Sequence, residues 1–260
     1  MAAFDPYAAL PDFYDLEHAD WGDDVPLYVN FAVAVGDPIL ELGCGSGRLL
    51  VPLAEEGFRV VGTDRSLPML ERARRAVDEA GVGDRVRLLP GEMTQADAVP
   101  GGPFGMVIIA LNGLLHLPTP EEQRQALLAA RRALDPRGQL VVDVLNPVPD
   151  LLRSFDGSVV HEGTWPLGNG DRLDKFGARR LSPASQRIET DLWYDVTGPD
   201  GTLRRVAASF PMRYLHASEL RLLLEACGFV DLQLYGNYDL DPYDDAADRI
   251  VVTAEVTPAG

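Results

Sequence analysis

The chain has 260 residues and is poor in lysine and in positive charge. Lysine occurs once, at Lys175, among 23 basic residues. The sequence therefore contains no Gly-x-x-x-x-Gly-Lys phosphate loop and no Tyr-x-x-x-Lys pair, and it offers one candidate for a Schiff base. The net charge of -17 opposes the binding of nucleic acid, whose phosphates require a basic field. We therefore expect a small molecule as substrate.

Cysteine and long apolar runs are also scarce. The two cysteines, Cys44 and Cys227, form neither a disulfide framework nor a metal-ligand pair, and we expect both to be free thiols in a reducing compartment. No apolar run is long enough to span a bilayer, and the N-terminus lacks a basic region followed by an apolar one. These features predict a cytoplasmic protein.

The most informative stretch is residues 38–64. Residues 39–42 form a short apolar segment that contains Glu41 and is bounded by turn residues, which predicts a buried strand. Glycines then occupy every second position from Gly43 to Gly47, so that the backbone can turn sharply and a ligand can approach it closely. Leucines with helical spacing follow, and the positive end of that helix dipole faces the turn. We expect an anionic group of a ligand near this turn.

A second apolar strand is predicted over residues 59–63, and it ends at Asp64. A carboxylate in this position can accept hydrogen bonds from both hydroxyls of a ribose, which indicates a nucleoside. The dinucleotide fingerprint requires glycine or alanine at position 48, where this chain has Arg48. A nicotinamide-dependent oxidoreductase is disfavoured for this reason. A tight turn that binds nothing is a weaker alternative.

The sequence Ile-Leu-Glu-Leu-Gly-Cys-Gly-Ser-Gly-Arg, followed by Asp64, resembles motif I and the next acidic residue of class I S-adenosylmethionine (SAM) dependent methyltransferases. The resemblance covers about residues 36–145 and 215–255. It implies an enzyme that uses SAM to methylate a nitrogen or oxygen nucleophile of a small molecule by in-line displacement. The cofactor-binding residues that it implies are Tyr14, Glu41, Gly43, Cys44, Gly45, Gly47, Arg48, Asp64, Arg65, Met69, Gly91, Glu92, Met93 and Leu111.

Two of these residues have an alternative explanation that involves no cofactor. Tyr14 matches a tyrosine that closes over the cofactor in many small-molecule methyltransferases, but Phe13 and Tyr14 together could instead pin the N-terminus to the core. Glu92 replaces the aspartate that receives the adenine amino group in the family, and its alternative is an exposed loop residue. Met69 and Met93 are expected to pack against the adenine.

Strands and helices alternate without interruption to residue 145, which predicts a doubly wound α/β fold. The family resemblance implies a seven-stranded, Rossmann-like methyltransferase sheet. Residues 188–196 and 206–214 alternate apolar and polar side chains around a Gly-Pro-Asp-Gly turn, a pattern typical of an antiparallel hairpin. With two further strands, this hairpin predicts an inserted antiparallel β-sheet over residues 150–214 that acts as a substrate lid.

The predicted domain organisation follows from that insertion. Residues 1–149 and 215–260 form the SAM-binding α/β domain, and residues 1–35 are its N-terminal helical cap. The insertion resembles that of amino-sugar N,N-dimethyltransferases. The acceptor is therefore expected between the loop after the fourth strand and the inserted sheet, because ligands of such sheets bind at the carboxyl ends of the strands.

Three residues are candidates for the acceptor side. His116 matches a position beside the accepting nitrogen and is the best catalytic candidate, as the base that a hydroxyl acceptor would need. A packed structural histidine is the equal alternative. Asn112, in the same loop, is a predicted substrate-binding residue. Arg213 is predicted to be the polar anchor of the acceptor, against the alternative of a solvated surface arginine.

We expect no metal. The residues that follow the fourth strand are Ala110, Leu111 and Asn112, and Asp143 lies within a strand, so the carboxylates of a divalent site are absent there. A non-catalytic SAM-binding or regulatory module is the second candidate function. The identity of the acceptor, the choice between nitrogen and oxygen and the choice between a monomer and a homodimer stay open at this point.

Overall fold

A computed structural model describes residues 5, 10–18, 21–168 and 170–256. Its strands are β1 Ile39–Leu42, β2 Val60–Asp64, β3 Val86–Pro90, β4 Phe104–Ile109, β5 Leu134–Leu145, β6 Asp156–Pro166, β7 Arg172–Ser182, β8 Arg187–Thr197, β9 Leu203–Arg213, β10 Phe229–Tyr235 and β11 Arg249–Val256. Its helices are α1 Pro11–His18, α2 Val25–Val35, α3 Leu50–Glu55, α4 Leu67–Glu79, α5 Pro120–Ala133, α6 Pro149–Ser154 and α7 Ala217–Ala226. Short 3₁₀ segments lie at Met93–Ala98, Gly113–His116 and Pro183–Ser185.

The main sheet has seven strands in the order β10-β11-β5-β4-β1-β2-β3. Strands β1 to β5 are parallel, whereas β11 runs antiparallel to both β5 and β10. The chain runs outward from β1 to β3 and then crosses back to β4 on the other side of β1. Ligands of open α/β sheets bind at such a reversal, outside the carboxyl ends of the strands. The predicted doubly wound α/β fold is confirmed.

Both faces of this sheet are covered. One apolar cluster joins β4 and β5 to α5 and α7 through residues such as Ala126 and Leu220. The other joins β1 to α2 and α3 through residues such as Tyr28 and Leu50. The four residues of β1 are buried, as expected for a central parallel strand. Thr119 caps α5 by accepting a hydrogen bond from the Glu122 N–H, as expected for a threonine directly before a helix.

The second sheet is antiparallel, with four strands in the order β6-β7-β8-β9. Its hairpin pairs Arg187 with Arg213 at one end and Thr197 with Leu203 at the other. One face packs on α1, where the ring of Phe13 stacks on that of Tyr194 with 4.9 Å between centroids. Helix α1 therefore contacts this inserted sheet.

Two strands begin earlier than the sequence segments that predict them, which start at Gln139 and Val159. Strand β5 begins at Leu134 rather than Gln139, because Leu134 already pairs with Phe104 and a shift in register separates this pair from the rest of the ladder. Strand β6 begins at Asp156 rather than Val159, and it also contains irregular positions. Alternating patterns do not reveal such irregularities, because each of them breaks the period of two. None of the helices in the described ranges is both long and apolar enough to cross a membrane.

Candidate active site

A cavity of about 160 Å³ opens at the carboxyl ends of β1, β2, β3 and β4. This is the edge of the sheet at which the fold predicts a ligand. The cavity is lined by Tyr14, Glu41, Gly43, Cys44, Gly45, Arg48, Asp64, Arg65, Met69, Gly91, Glu92, Met93, Ala110, Leu111, Gly113, His116 and Leu117. Thirteen of the predicted cofactor positions and His116 are therefore neighbours in space.

The glycine turn after β1 depends on left-handed backbone at Gly43, Gly45 and Gly47, with φ of 76°, 54° and 91°. A Cβ atom added to Gly45 would meet no described atom within 4 Å, so this residue faces open space. A Cβ on Gly43 would lie 2.5 Å from the Cε atom of Met93. Gly45 is thus the position of the turn at which a ligand can contact the backbone.

Gly47 differs from the other predicted cofactor positions. It is buried and does not line the cavity. A Cβ at this position would lie 3.2 Å from the Cα and Cβ atoms of Ala73 in α4. The residue lacks a side chain because a helix packs against it, which the spacing of the glycines could not reveal.

Asp64 ends β2 and is held in place by two backbone groups. Its Oδ2 atom accepts a hydrogen bond of 2.9 Å from the Gly45 N–H, and its Oδ1 atom accepts one of 2.8 Å from the Ser66 N–H. Burial raises the pKa of the carboxyl group, although these two bonds act in the opposite direction. The carboxylate is therefore oriented by the turn and keeps lone pairs for donors of a ligand.

Glu41 is 4% exposed and lies in β1, at the bottom of the cavity. Its Oε2 atom has no hydrogen-bond partner within the described part of the chain. Burial raises the pKa of Glu41 to about 8, and the nearby charge of Arg48 only partly offsets this. A buried carboxylate oxygen without a partner is costly, so this position fits a ligand that brings a hydrogen-bond donor or a positive charge.

Arg48 lines the cavity and binds Asp24, a residue that the sequence did not reveal. Its two terminal nitrogens donate to the carboxylate of Asp24, at 2.5 and 2.7 Å, and Asp24 is fully buried. Burial opposes the charge of Arg48, yet the bonds to Asp24 keep its pKa above the ordinary value. Asp24 precedes α2, and no motif joins it to the glycine turn. It therefore could not be found from sequence.

Phe13 and Tyr14 of α1 point towards different parts of the molecule. Phe13 packs against the inserted sheet, as described above, whereas Tyr14 lines the cavity and stacks on His18 with 4.0 Å between ring centroids. Burial raises the pKa of Tyr14 to about 12, so its hydroxyl stays protonated. Phe13 thus packs against the inserted sheet, whereas the contact of Tyr14 with the cofactor stays a prediction.

The side of the cavity beyond Asp64 carries Met69, Met93 and Glu92. Met69 is 3% exposed and comes from α4, and Met93 opens a 3₁₀ segment after β3. The Glu92 side chain is 46% exposed and lies 4.0 Å from the Nε atom of Arg65. The apolar pair suits the faces of an aromatic ring, and Glu92 lies on the exposed rim.

The opposite wall comes from the loop after β4 and includes Ala110, Gly113 and Leu117, which are not among the predicted site residues. His116 belongs to this wall, and its ring lies 5.2 Å from that of Phe210 in β9 of the inserted sheet. Burial lowers the pKa of His116 to about 4, and the charge of Arg65 acts in the same direction. His116 is therefore neutral near pH 7.

Two predicted acceptor-binding residues are not in this cavity. The side chain of Asn112 turns towards β5, where its Oδ1 atom accepts hydrogen bonds from the Leu145 N–H at 2.6 Å and from Arg249 at 3.3 Å. The backbone of Asn112 is left-handed, with φ of 67°. Its side chain therefore points in a different direction from the one that an extended loop would give.

Arg213 is 5% exposed and likewise does not line the cavity. Its guanidinium group donates to the side chains of Gln123 and Gln186 and forms an ion pair of 2.5 Å with Glu219. Arg213 is the last residue of β9, where the chain leaves the sheet towards α7. It still pairs with Arg187 in the ladder, and the strand pattern could not show that α5 and α7 supply its partners. Neither the anchor nor the solvated surface residue of the prediction matches this geometry.

A protein-family model described as a methyltransferase domain matches residues 39–138. An uncharacterized methyltransferase from Synechocystis is 31% identical over 156 residues, which cover 57% of this chain and 69% of that protein. The chain belongs to the SAM-dependent methyltransferases. Its cofactor is SAM, as the resemblance to motif I implied.

Solved structures extend the likeness of this methyltransferase to nearly the whole chain. The CcbJ methyltransferase from Streptomyces caelestis is 26% identical, with a TM-score of 0.77 over 98% of this chain and 100% of that one. A SAM-bound amino pentose methyltransferase of calicheamicin biosynthesis, from Micromonospora echinaspora, has the same fold at 20% identity, with a TM-score of 0.72 over 94% of this chain and 97% of that one. The resemblance to amino-sugar methyltransferases is thus confirmed at the level of the fold.

The cavity fits SAM on its own geometry. It offers open space beside the Gly45 backbone, a carboxylate at Asp64 that is oriented for hydroxyl donors, and an unpartnered carboxylate oxygen at Glu41 for a cationic ligand. Within the described ranges, no group of three or more His, Cys, Asp or Glu side chains is arranged to hold a metal ion.

Proposed function

We propose that this methyltransferase transfers the methyl group of SAM to an amine nitrogen of a small molecule. The observation that carries the proposal is the neutral, weakly basic His116 on the wall of the cavity, with its pKa near 4. An alcohol must lose its proton as it attacks, so it needs a general base whose pKa lies near the working pH. A neutral amine attacks with its own lone pair and needs no base.

The charge and the fold of the molecule support a small acceptor. The net charge of -17 disfavours nucleic acid. The fold is also that of a methyltransferase that acts on an amino pentose, which is one example of a small amine acceptor. The two free cysteines are consistent with a reducing compartment, which is why we propose the cytoplasm.

We assign the cofactor side of the cavity as follows. Asp64 accepts hydrogen bonds from the ribose hydroxyls, Met69 and Met93 pack against the adenine, and Glu41 faces the cationic methionine part of SAM. Gly43, Cys44 and Gly45 supply the backbone against which the cofactor lies, and Tyr14, Arg48 and Leu111 border it. Arg65, Gly91 and Glu92 surround the adenine end. When bound, SAM supplies the methyl group and the sulfonium leaving group.

The protein contributes position rather than acid-base chemistry. Holding two reactants in line can supply roughly 7–11 kcal/mol of the barrier. His116 contacts Phe210 of the inserted sheet, so the loop after β4 and that sheet meet beside the cavity. We propose that the insertion over residues 150–214 covers the acceptor there. A neutral His116 also adds no further positive charge beside the sulfonium.

The test compares acceptors that differ in one atom. The purified protein is incubated with SAM and with pairs of small molecules that have the same carbon skeleton and carry either an amine or a hydroxyl. Mass spectrometry detects the added methyl group, and the release of S-adenosylhomocysteine gives the rate. We expect turnover with amines, which the His116→Gln variant retains in large part. Methylation of alcohols that is lost in His116→Gln would overturn the proposal.

A further inference from the structure

The loop between β4 and the 3₁₀ segment Gly113–His116 makes a strained turn on the wall of the cavity. Leu111 and Asn112 are both left-handed, with φ of 42° and 67°. Asparagine tolerates this conformation, but a bulky residue such as leucine adopts it only at a cost in energy. Such strain persists only where the surrounding structure holds it, and it is concentrated at functional sites. Leu111 and Gly113 line the cavity, so the turn shapes its wall.

One residue of β5 holds both strained positions. Asp143 is fully buried, and its Oδ2 atom accepts a hydrogen bond of 3.1 Å from the Leu111 N–H. Its backbone carbonyl accepts a second bond, of 2.9 Å, from the Asn112 N–H. The Gly113 N–H donates to the Ala110 carbonyl at 2.8 Å and closes the turn. Consecutive N–H groups are thus directed into the protein.

Asp143 is itself fixed by side chains from distant parts of the chain. The Nε atom of Arg249 donates to its Oδ1 atom at 2.5 Å, and the hydroxyl of Tyr238 donates to its Oδ2 atom at 3.0 Å. Arg249 also donates to the side chain of Asn112 at 3.3 Å. We call Asn112, Asp143, Tyr238 and Arg249 the floor cluster. Both carboxylate oxygens of Asp143 have partners, and its side chain does not line the cavity.

The floor cluster is not explained by a contribution to the stability of the fold alone. A buried ion pair often contributes no more than a well-packed apolar replacement, because both charges lose their hydration. Here the buried pair also supports a strained backbone. What the arrangement produces is one defined shape of the loop that carries Leu111, Gly113 and His116.

We propose that Asp143 is a positioning residue for methyl transfer, which acts by holding the Leu111-Asn112 turn and with it the acceptor-side wall of the cavity. Asp143 takes no part in proton transfer. The proposal requires SAM-dependent methyl transfer but does not depend on whether the acceptor is an amine or an alcohol.

The test uses the full-length chain and the Asp143→Asn variant, with Asp195→Asn as the matched control. Asp195 is also a buried carboxylate, 5% exposed, and binds Arg205 through two hydrogen bonds in the inserted sheet. Hydrogen-deuterium exchange reports the order of each segment. Calorimetry gives the affinity for SAM. Initial rates are measured with whichever panel compound the wild type methylates fastest, amine or alcohol, so that an error in the proposed acceptor leaves this test intact.

In Asp143→Asn we expect amide exchange of residues 110–117 to rise roughly tenfold, as for the loss of one charge-assisted hydrogen bond. Exchange of residues 43–48 and the affinity for SAM should stay as in the wild type, while kcat falls. Asp195→Asn should leave exchange of residues 110–117 and kcat unchanged. If Asp143→Asn accelerates exchange evenly over both sheets, or if kcat is unchanged, the proposal is wrong.

A milder variant keeps the proposal testable where Asp143→Asn does not fold. Tyr238→Phe removes one hydrogen bond to Asp143 and retains the ring that lies 5.5 Å from the Arg249 guanidinium group. We expect the same local pattern with a smaller amplitude: faster exchange in residues 110–117 and a lower kcat at unchanged SAM affinity. Wild-type exchange and wild-type kcat in this variant would contradict the proposal.

Discussion

The two walls of the cavity are built in different ways. The cofactor wall consists of a glycine turn and of side chains that follow β1, β2 and β3, and its central contact joins Gly45 to Asp64, 19 residues apart. The acceptor wall depends on contacts between remote segments, such as Asp143 with Arg249, 106 residues apart, and Gln123 with Arg213, 90 residues apart. The first wall presents open groups to a ligand, whereas the second is held in shape by groups that already have partners. Changes to the two walls should therefore have separable effects.

The largest expected effect comes from Gly45→Val. The valine side chain would enter the open space beside the turn and would strain a backbone with φ of 54°. We expect a loss of about 3 kcal/mol in SAM binding, a factor of roughly 100 in Kd, measured by calorimetry. Gly201→Val is the matched control, because Gly201 is also left-handed, with φ of 81°, and lies in a turn of the inserted sheet. Equal losses of SAM affinity in both variants would contradict the assignment.

Arg213→Ala should affect stability rather than binding. The change leaves Gln123, Gln186 and Glu219 without their shared partner. Breaking a fully buried ion pair costs about 3–5 kcal/mol, and because the Glu219 side chain is 35% exposed we expect about 2–3 kcal/mol. Urea unfolding measures this loss, and the exposed Arg221, changed to Ala, is the control. A free energy of unfolding of Arg213→Ala equal to that of the wild type would show that the contacts of Arg213 do not stabilise the fold.

Asp64→Ala should weaken SAM binding by about 2 kcal/mol, because charge-assisted hydrogen bonds to the cofactor are lost. The variant also removes the acceptor of the Gly45 and Ser66 N–H groups, so the turn becomes less ordered. Asp64→Asn retains one acceptor oxygen and should lose less. Calorimetry with SAM compares the three proteins, and an affinity of Asp64→Ala equal to that of the wild type would remove Asp64 from the site.

The smallest effect is a pH dependence that belongs to the cofactor wall. The pKa of Glu41 is about 8 in the free protein, where burial outweighs the charge of Arg48 and the carboxylates of Asp24 and Asp64 act with burial. A bound cation favours the ionised form, so SAM binding below pH 8 must release a proton. Affinity should therefore rise as pH increases from 6.5 to 8, by at most roughly tenfold per unit, and then level off.

Calorimetry in buffers with different ionisation enthalpies measures that proton. Glu41→Gln should abolish both the proton release and the pH dependence. The same pKa shift has the opposite sign for folding: between pH 4.5 and 8 the folded free protein holds a proton that the unfolded chain releases, so its stability falls as pH rises through this window. A SAM affinity that is independent of pH in the wild type would exclude Glu41 as the group that faces the cation.

The sequence by itself determined the local part of the cofactor wall, which is the glycine turn and Asp64. Alternate glycines, a helix after them and an acid at the end of the next strand are local features, and the preference of glycine for left-handed backbone fixes the turn that they form. Thr119 likewise fixed the start of α5, because an N-cap residue and the N–H group that it binds are neighbours in sequence. The α/β order and the antiparallel insertion followed from periodicity, which is also local.

Only the tertiary structure decided the acceptor wall and the directions of its polar side chains. Arg213 and Asn112 have the residue types of a binding site, yet the Arg213 guanidinium group has partners in α5 and α7, and the Asn112 Oδ1 atom has partners in β5 and β11. Gly47 resembles its neighbours in sequence, but a helix packs on it. The sequence states the chemistry of each side chain, but its partner depends on which remote elements pack together. The reason is that a buried polar group must find a hydrogen-bond partner in the place to which the fold brings it.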